Sequence, residues 1–174
     1  MKIIKAIDKS HMLQEKDGMF FFNKYYISNG KFLLSKDYMS TELLKTIEDN
    51  DKTPQDKLLI LDNIVNNTLN DNDYKNATIS NLIIINDKNE ELRIIYSDSD
   101  FLAIDNRYIK LFGLEDEKLQ IRDINSPLRI YQKVEGIKFI TMGIKLEYEE
   151  QCRIKEYLTF QRWNCKSLMN MDKS

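Results

Sequence analysis

Few side chains in this chain of 174 residues are of the kinds that make and break bonds. The one histidine is His11, so any Ser-His-Asp or Cys-His arrangement would have to recruit it. It falls on the apolar side of an expected helix over residues 2–13, beside Ile3, Ile4 and Ile7, where a satisfied, partly buried imidazole is the plainer reading. Carboxylates are more plentiful. Asp98 and Asp100, in Ser97-Asp98-Ser99-Asp100, and Asp71 with Asp73 carry the hard oxygens that suit Mg²⁺ or Ca²⁺. Both pairs fall in expected loops, where such residues usually shape turns, so no metal site is assigned. Cys152 and Cys165 could pair, but two cysteines in a chain with no signal sequence read as free thiols. The 5 glycines are too scattered to build a phosphate-cradling loop. The expectation is no catalytic residue and no cofactor.

Charge is more informative than reactivity. The net charge is −2 and the pI about 5.6, so nucleic acid could be held only through local segregation of cations. Lys2, Lys5 and Lys9 form such a stripe, opposite the isoleucines of the first helix. Arg107 and Lys110, on one side of a later helix, would extend it. Such a stripe is either a solvated helix face or a surface turned toward phosphates without reading bases.

The elements that would position these residues alternate along the chain. After the first helix, residues 19–27 and 31–35 read as strands joined by Ser28-Asn29-Gly30, a strong hairpin signal. Residues 41–48 read as a helical turn. A second helix starts at Thr53 as N-cap with Pro54 in its first turn, and Leu58, Leu61, Ile64, Val65 and Leu69 form its apolar stripe. Residues 66–76 are expected to be a loop. Strands follow at 79–85, 91–96 and 101–104, then a short helix at 106–112 closed by Gly113, then strands at 118–124, 128–133 and 138–144. Residues 147–169 read as a helical tail. Tight turns permit only antiparallel neighbours, so the class is α+β, antiparallel sheets backed by short helices. The division is an α+β domain over 1–146, with 1–50 and 51–146 as candidate sub-units, and a tail over 147–174.

The run Arg107-Tyr108-Ile109-Lys110-Leu111-Phe112, the acidic Glu115-Asp116-Glu117, Ser126-Pro127-Leu128-Arg129-Ile130 and Lys138-Phe139-Ile140-Thr141-Met142 resembles the closing part of a DNA sliding-clamp domain. Ile79-Ser80-Asn81-Leu82-Ile83-Ile84 with Ser97-Asp98 is similar to the hairpin of that family. The likeness spans roughly residues 1–146 in short motifs. It departs where Ser35-Lys36-Asp37-Tyr38 follows the first hairpin, and where the second helix offers Asp56, Asn63 and Asn67 in place of Lys or Arg.

The resemblance implies a DNA-clamp-like fold with helices lining a channel, DNA held weakly and without sequence preference, and no catalysis. The function expected from it is a phage-type or mobile-element-type processivity or DNA-tethering factor of cytoplasmic location, with a homo-oligomer needed to make a ring. The first alternative is a clamp-fold adaptor or inhibitor that binds another protein and not DNA. Tyr157, Leu158 and Phe160 in the tail are its candidate partner-binding residues, and a membrane is not expected. The second alternative is a small metal-dependent enzyme using Asp98 and Asp100.

Overall fold

The structure, a computed structural model, describes residues 21–48, 55–132 and 136–171, with side chains for 23–42, 44–45, 58–132 and 136–159. The expected first helix with Lys2, Lys5, Lys9 and His11 lies outside the described residues, as do the caps Thr53 and Pro54. The chain divides into two compact units, Met1–Ile144 and Lys145–Ser174.

Within the first unit, three antiparallel meanders follow one another. They are β1 (Phe21–Phe22), β2 (Tyr26–Ser28) and β3 (Phe32–Ser35); β4 (Lys75–Ile85), β5 (Glu91–Tyr96) and β6 (Phe101–Asp105); and β7 (Leu119–Ile121), β8 (Leu128–Gln132) and β9 (Gly136–Thr141). Between the first and second lie α1 (Thr41–Glu48) and α2 (Gln55–Asn70), and between the second and third lies α3 (Asn106–Phe112). The described strands form one sheet of order β1-β2-β3-β9-β8-β7-β4-β5-β6, antiparallel at every pairing. The α+β class and the antiparallel pairing are therefore as the sequence led us to expect.

Local chemistry explains most boundaries. Gly30 takes a φ of 87° in the first hairpin turn, and the Asn29 Oδ1 accepts from the amides of Lys31 and Phe32. The expected strand over 19–27 is interrupted, because Asn23 Oδ1 accepts from the amides of Tyr25 and Tyr26 and folds the chain into a turn. At α3, Asp105 caps the amide of Arg107, and Gly113 ends the helix in the left-handed region with its N–H on the Ile109 carbonyl. The expected loop over 66–76 is mostly not a loop: α2 continues to Asn70 and β4 begins at Lys75.

The two faces of β3 bury different sets of residues, as a period of two requires. Phe32 and Leu34 join Phe139, Leu119, Ile121, Leu128 and Ile130 beneath Tyr108, Ile109 and Phe112 of α3. Leu102 and Ile104 of β6 belong to the same core, and the Ile144 amide bonds the Ala103 carbonyl at 2.7 Å, so the sheet curls back over itself. On the opposite face, Leu33, Ile137 and Ile140 receive Leu61 and Val65 of α2. A register shift at Ile130/Tyr131 leaves Lys138 as the extra residue of a bulge, which is why Ile137 and Ile140 share a face. Ile64, expected in the buried stripe of α2, is 37% exposed at its flank. The resemblance implied helices that line one channel together; here α2 and α3 pack against opposite faces of β3.

A polar assembly fastens the end of α2. Arg129 of β8, only 5% exposed, donates from Nε to Gln120 Oε1 at 2.8 Å and from Nη1 to the carbonyls of Thr68 and Asp71. Its guanidinium lies 3.9 Å from the Tyr74 ring centroid and 5.2 Å from that of Tyr131. The cation thus takes up the orphan carbonyls of a helix C-terminus, where positive charge is favoured. Burial holds the Arg129 guanidinium below its ordinary pKa.

Burial also raises the Tyr74 phenol, with Arg129 opposing and Asp71 assisting. A raised folded-state pKa favours the neutral phenol, so this contribution is complete below the unfolded value of about 10 and disappears as pH climbs through the folded one. Tyr74→Phe keeps the ring over Arg129 and cannot ionise. Urea midpoints measured from neutral pH into the alkaline range should fall less steeply for the variant than for the parent. Parallel curves would show that Tyr74 ionisation does not bear on stability.

The second unit carries α4 (Tyr148–Met171). Glu150 reaches back to the Glu147 amide at 2.9 Å, one half of a capping box. Cys152 and Cys165 both lie on this helix, and 13 residues of helical rise separate their Cα atoms by about 20 Å, beyond disulfide reach. Cys152 is a free thiol. Among the described residues no helix is long and apolar enough to cross a membrane.

Candidate docking site

The strand β4 is longer than one neighbour can cover. Its first residues pair with β7, Lys75 opposite Ile121, Asn76 opposite Gln120 and Ala77 opposite Leu119. There β7 has already begun, because the chain before it turns away through the 3-10 segment Leu114–Asp116. From Thr78 to Ile85, β4 pairs among the described residues with β5 alone. Its other edge has no strand partner among the described residues along a stretch, Thr-Ile-Ser-Asn-Leu-Ile-Ile-Ile, without charge or proline, although the Ser80 carbonyl and the Leu82 amide are taken up within the fold. Ile83 and Ile85 share a face and are 42% and 64% exposed.

A hollow of about 370 Å³ opens where β4 and β7 part. Ala77, Ile79, Leu114 and Leu119 supply its apolar lining. Glu115 and Glu117 stand on one side, Arg93 of β5 on the other. Arg93 is already engaged: Nε donates to Asn106 Oδ1 at 3.0 Å and Nη1 to the Ser80 carbonyl at 3.2 Å, while Asn106 Nδ2 donates to Glu91 Oε2. These bonds pin the irregularity between Ile79 and Ile83, where Ser80 Oγ also accepts from the Leu82 amide at 3.1 Å. A bend, an edge without a strand partner among the described residues, and a hollow lined by Glu115, Glu117 and Arg93 thus lie together. The arrangement can bind; it carries no paired nucleophile and base.

The residues singled out from the sequence are dispersed. Arg107 and Lys110 do share an exposed side of α3, but Asp105 holds the Arg107 guanidinium in a fork, with Nε 2.9 and 3.0 Å from its two oxygens. That hydrogen bond raises the Arg107 pKa and offsets its charge locally. Asp98 and Asp100 sit in the β5–β6 turn, where the Ser97 amide donates to the Asp100 carbonyl at 2.8 Å and Asp100's amide donates to Ser97 Oγ. Asp71 pairs with Arg122 and accepts from the Asp73 amide. Among the described residues no group of three or more His, Cys, Asp or Glu is placed to hold a metal. On α4, Tyr157 is half-buried and Leu158 buried, and the side chain of Phe160 lies outside the described residues.

Sequence reasoning missed the hollow. Its available signal was Ser80-Asn81 interrupting an otherwise apolar strand, which marks a bulge. No family model matches the chain, and no curated protein or solved structure does.

Proposed function

We propose that this protein is a non-enzymatic module that binds another protein, taking an extended segment of it along the edge of β4 that has no strand partner among the described residues. The observation that carries this reading is the uncharged Thr78–Ile85 edge beside a preformed hollow, because main-chain pairing at such an edge supplies affinity while the hollow selects side chains. Charge favours it over DNA tethering. From Leu58 to Asn70 the only charged residue of α2 is Asp62, and its solvent side exposes Leu59, Ile60 and Ile64. A helix facing phosphates depends on Lys and Arg.

Fluorescence anisotropy separates the two. A labelled peptide alternating valine and threonine is expected to bind, with Ile83→Lys or Ile85→Lys weakening it about tenfold, equivalent to about 1.4 kcal/mol. A labelled DNA duplex is expected to stay free at low salt. DNA retention that is lost in a Lys2→Glu, Lys5→Glu, Lys9→Glu variant would instead establish the tether. A peptide that never binds would remove the docking reading.

A further inference from the structure

The first hairpin turn holds a reactive pair that docking does not use. Asn29 is the one asparagine of the sequence followed by glycine. With no side chain on residue 30, its main-chain nitrogen is unshielded and can close on Asn29 Cγ to form a cyclic imide. The turn surrounds the pair with the groups such a closure needs. The Gly30 amide donates to Ser28 Oγ at 3.0 Å. The Ser28 hydroxyl donates its own proton to the Phe32 carbonyl at 2.6 Å, so a lone pair of Oγ faces the Gly30 N–H. Asn29 Oδ1, which gains negative charge as the nitrogen adds, already accepts from the amides of Lys31 at 3.0 Å and Phe32 at 3.2 Å. Bonds to a charged oxygen are the stronger ones, so these two amides favour the addition step over the resting side chain. Among the described residues Asn29 bonds only through Oδ1, which leaves Nδ2, the leaving group, to water. Gly30 is exposed, and a β-carbon placed on it would meet no atom within 4 Å, so the turn is open to solvent.

We infer that Asn29 is a site of self-modification, where the folded turn converts the asparagine to aspartate and isoaspartate. Gly30 N bonds to Asn29 Cγ and gives up its proton on the Ser28 side to water. Water protonates Nδ2, and ammonia departs as the Cγ–Nδ2 bond breaks. A second water then opens the imide: at Cγ it yields aspartate, at the main-chain carbonyl isoaspartate. No oxidant or further substrate is consumed. Aspartate keeps the oxygen that closes the turn. Isoaspartate inserts a methylene into the main chain between β2 and β3, ahead of Phe32, whose ring centroid stands 5.0 Å from that of Phe112. The conversion therefore reaches the aromatic core through the chain itself.

The test ages the full chain at mildly alkaline pH, folded and in guanidinium chloride side by side, and follows each asparagine by peptide mass spectrometry. Asn29 should convert ahead of every other asparagine, and faster in the folded chain than in the unfolded one. Ser28→Ala should slow the folded rate about fivefold, the equivalent of one ordinary hydrogen bond, and leave the unfolded rate alone. Ser28→Thr keeps a hydroxyl and should restore the folded rate. Circular dichroism establishes that each variant is folded; if Ser28→Ala is not, the folded and unfolded rates of the parent decide by themselves. A folded rate below the unfolded one overturns the inference, because the turn would then be protecting Asn29. Equal rates in the two states overturn it too, as does a folded Ser28→Ala variant that converts as fast as the parent.

Discussion

Phe112→Ala is expected to lower the free energy of unfolding by about 3–5 kcal/mol, a large share of the 5–15 kcal/mol that holds a typical domain together. Phe112 is fully buried, at the point where α3 presses onto the sheet. Its ring centroid is 4.7 Å from Phe139, 5.0 Å from Phe32 and 5.6 Å from Tyr108, so one substitution removes three aromatic contacts as well as the buried area. Those partners come from β3, β9 and α3 itself, rigid elements that cannot collapse into the space, and a cavity is left. Phe112→Leu, nearer in volume, should cost less than about 1.5 kcal/mol. Tyr148→Ala, on a residue 77% exposed, should fall within about 0.5 kcal/mol. Urea denaturation followed by circular dichroism measures all three. A loss below about 1 kcal/mol for Phe112→Ala would mean that the cluster does not organise this core.

The second large effect is expected at Arg129. Arg129→Met should destabilise by about 2–4 kcal/mol, since it retains the stem but leaves the Thr68 and Asp71 carbonyls and Gln120 Oε1 without their donor. Arg129→Lys should recover only part, because an ammonium cannot reproduce a planar fork that lies 3.9 Å from the Tyr74 ring centroid and 5.2 Å from that of Tyr131. Amide hydrogen exchange adds a local signature: protection should fall first in the last turn of α2, ahead of the sheet. The opposing effect is the cost of burying a cation against Gln120 Oε1 and two main-chain carbonyls, all neutral oxygens. If the methionine variant matches the parent in stability, that cost cancels the bonds and Arg129 serves only to define where α2 stops.

The legible parts of this fold were those decided by neighbours in sequence. Asn29-Gly30 and Gly113 work through their own backbone freedom, and both were read correctly. The end of α2 was not legible from the asparagines that follow Val65, because the group that completes it stands 61 residues away in Arg129. The interruption at Asn23 was missed because a side-chain oxygen competing for two amides looks, in sequence, like one polar residue in a strand. At the site level, the charge of Arg107 was read without Asp105 two residues before it, whose capping position also lets it neutralise the arginine. The hollow depends on where β7 begins relative to β4, a matter of long-range pairing that no local pattern encodes.

The sheet order sets a timetable for the growing chain. Among the described strands the first meander pairs with the other two only through β9, and the bond from Thr141 to the Lys31 carbonyl spans 110 residues. At ribosomal speeds of about 5–20 residues per second, Phe32 to Leu34 wait roughly 5–20 s for the strand that covers them. During that interval the Phe-Leu-Leu run of β3 still lacks the neighbouring strand that completes its edge.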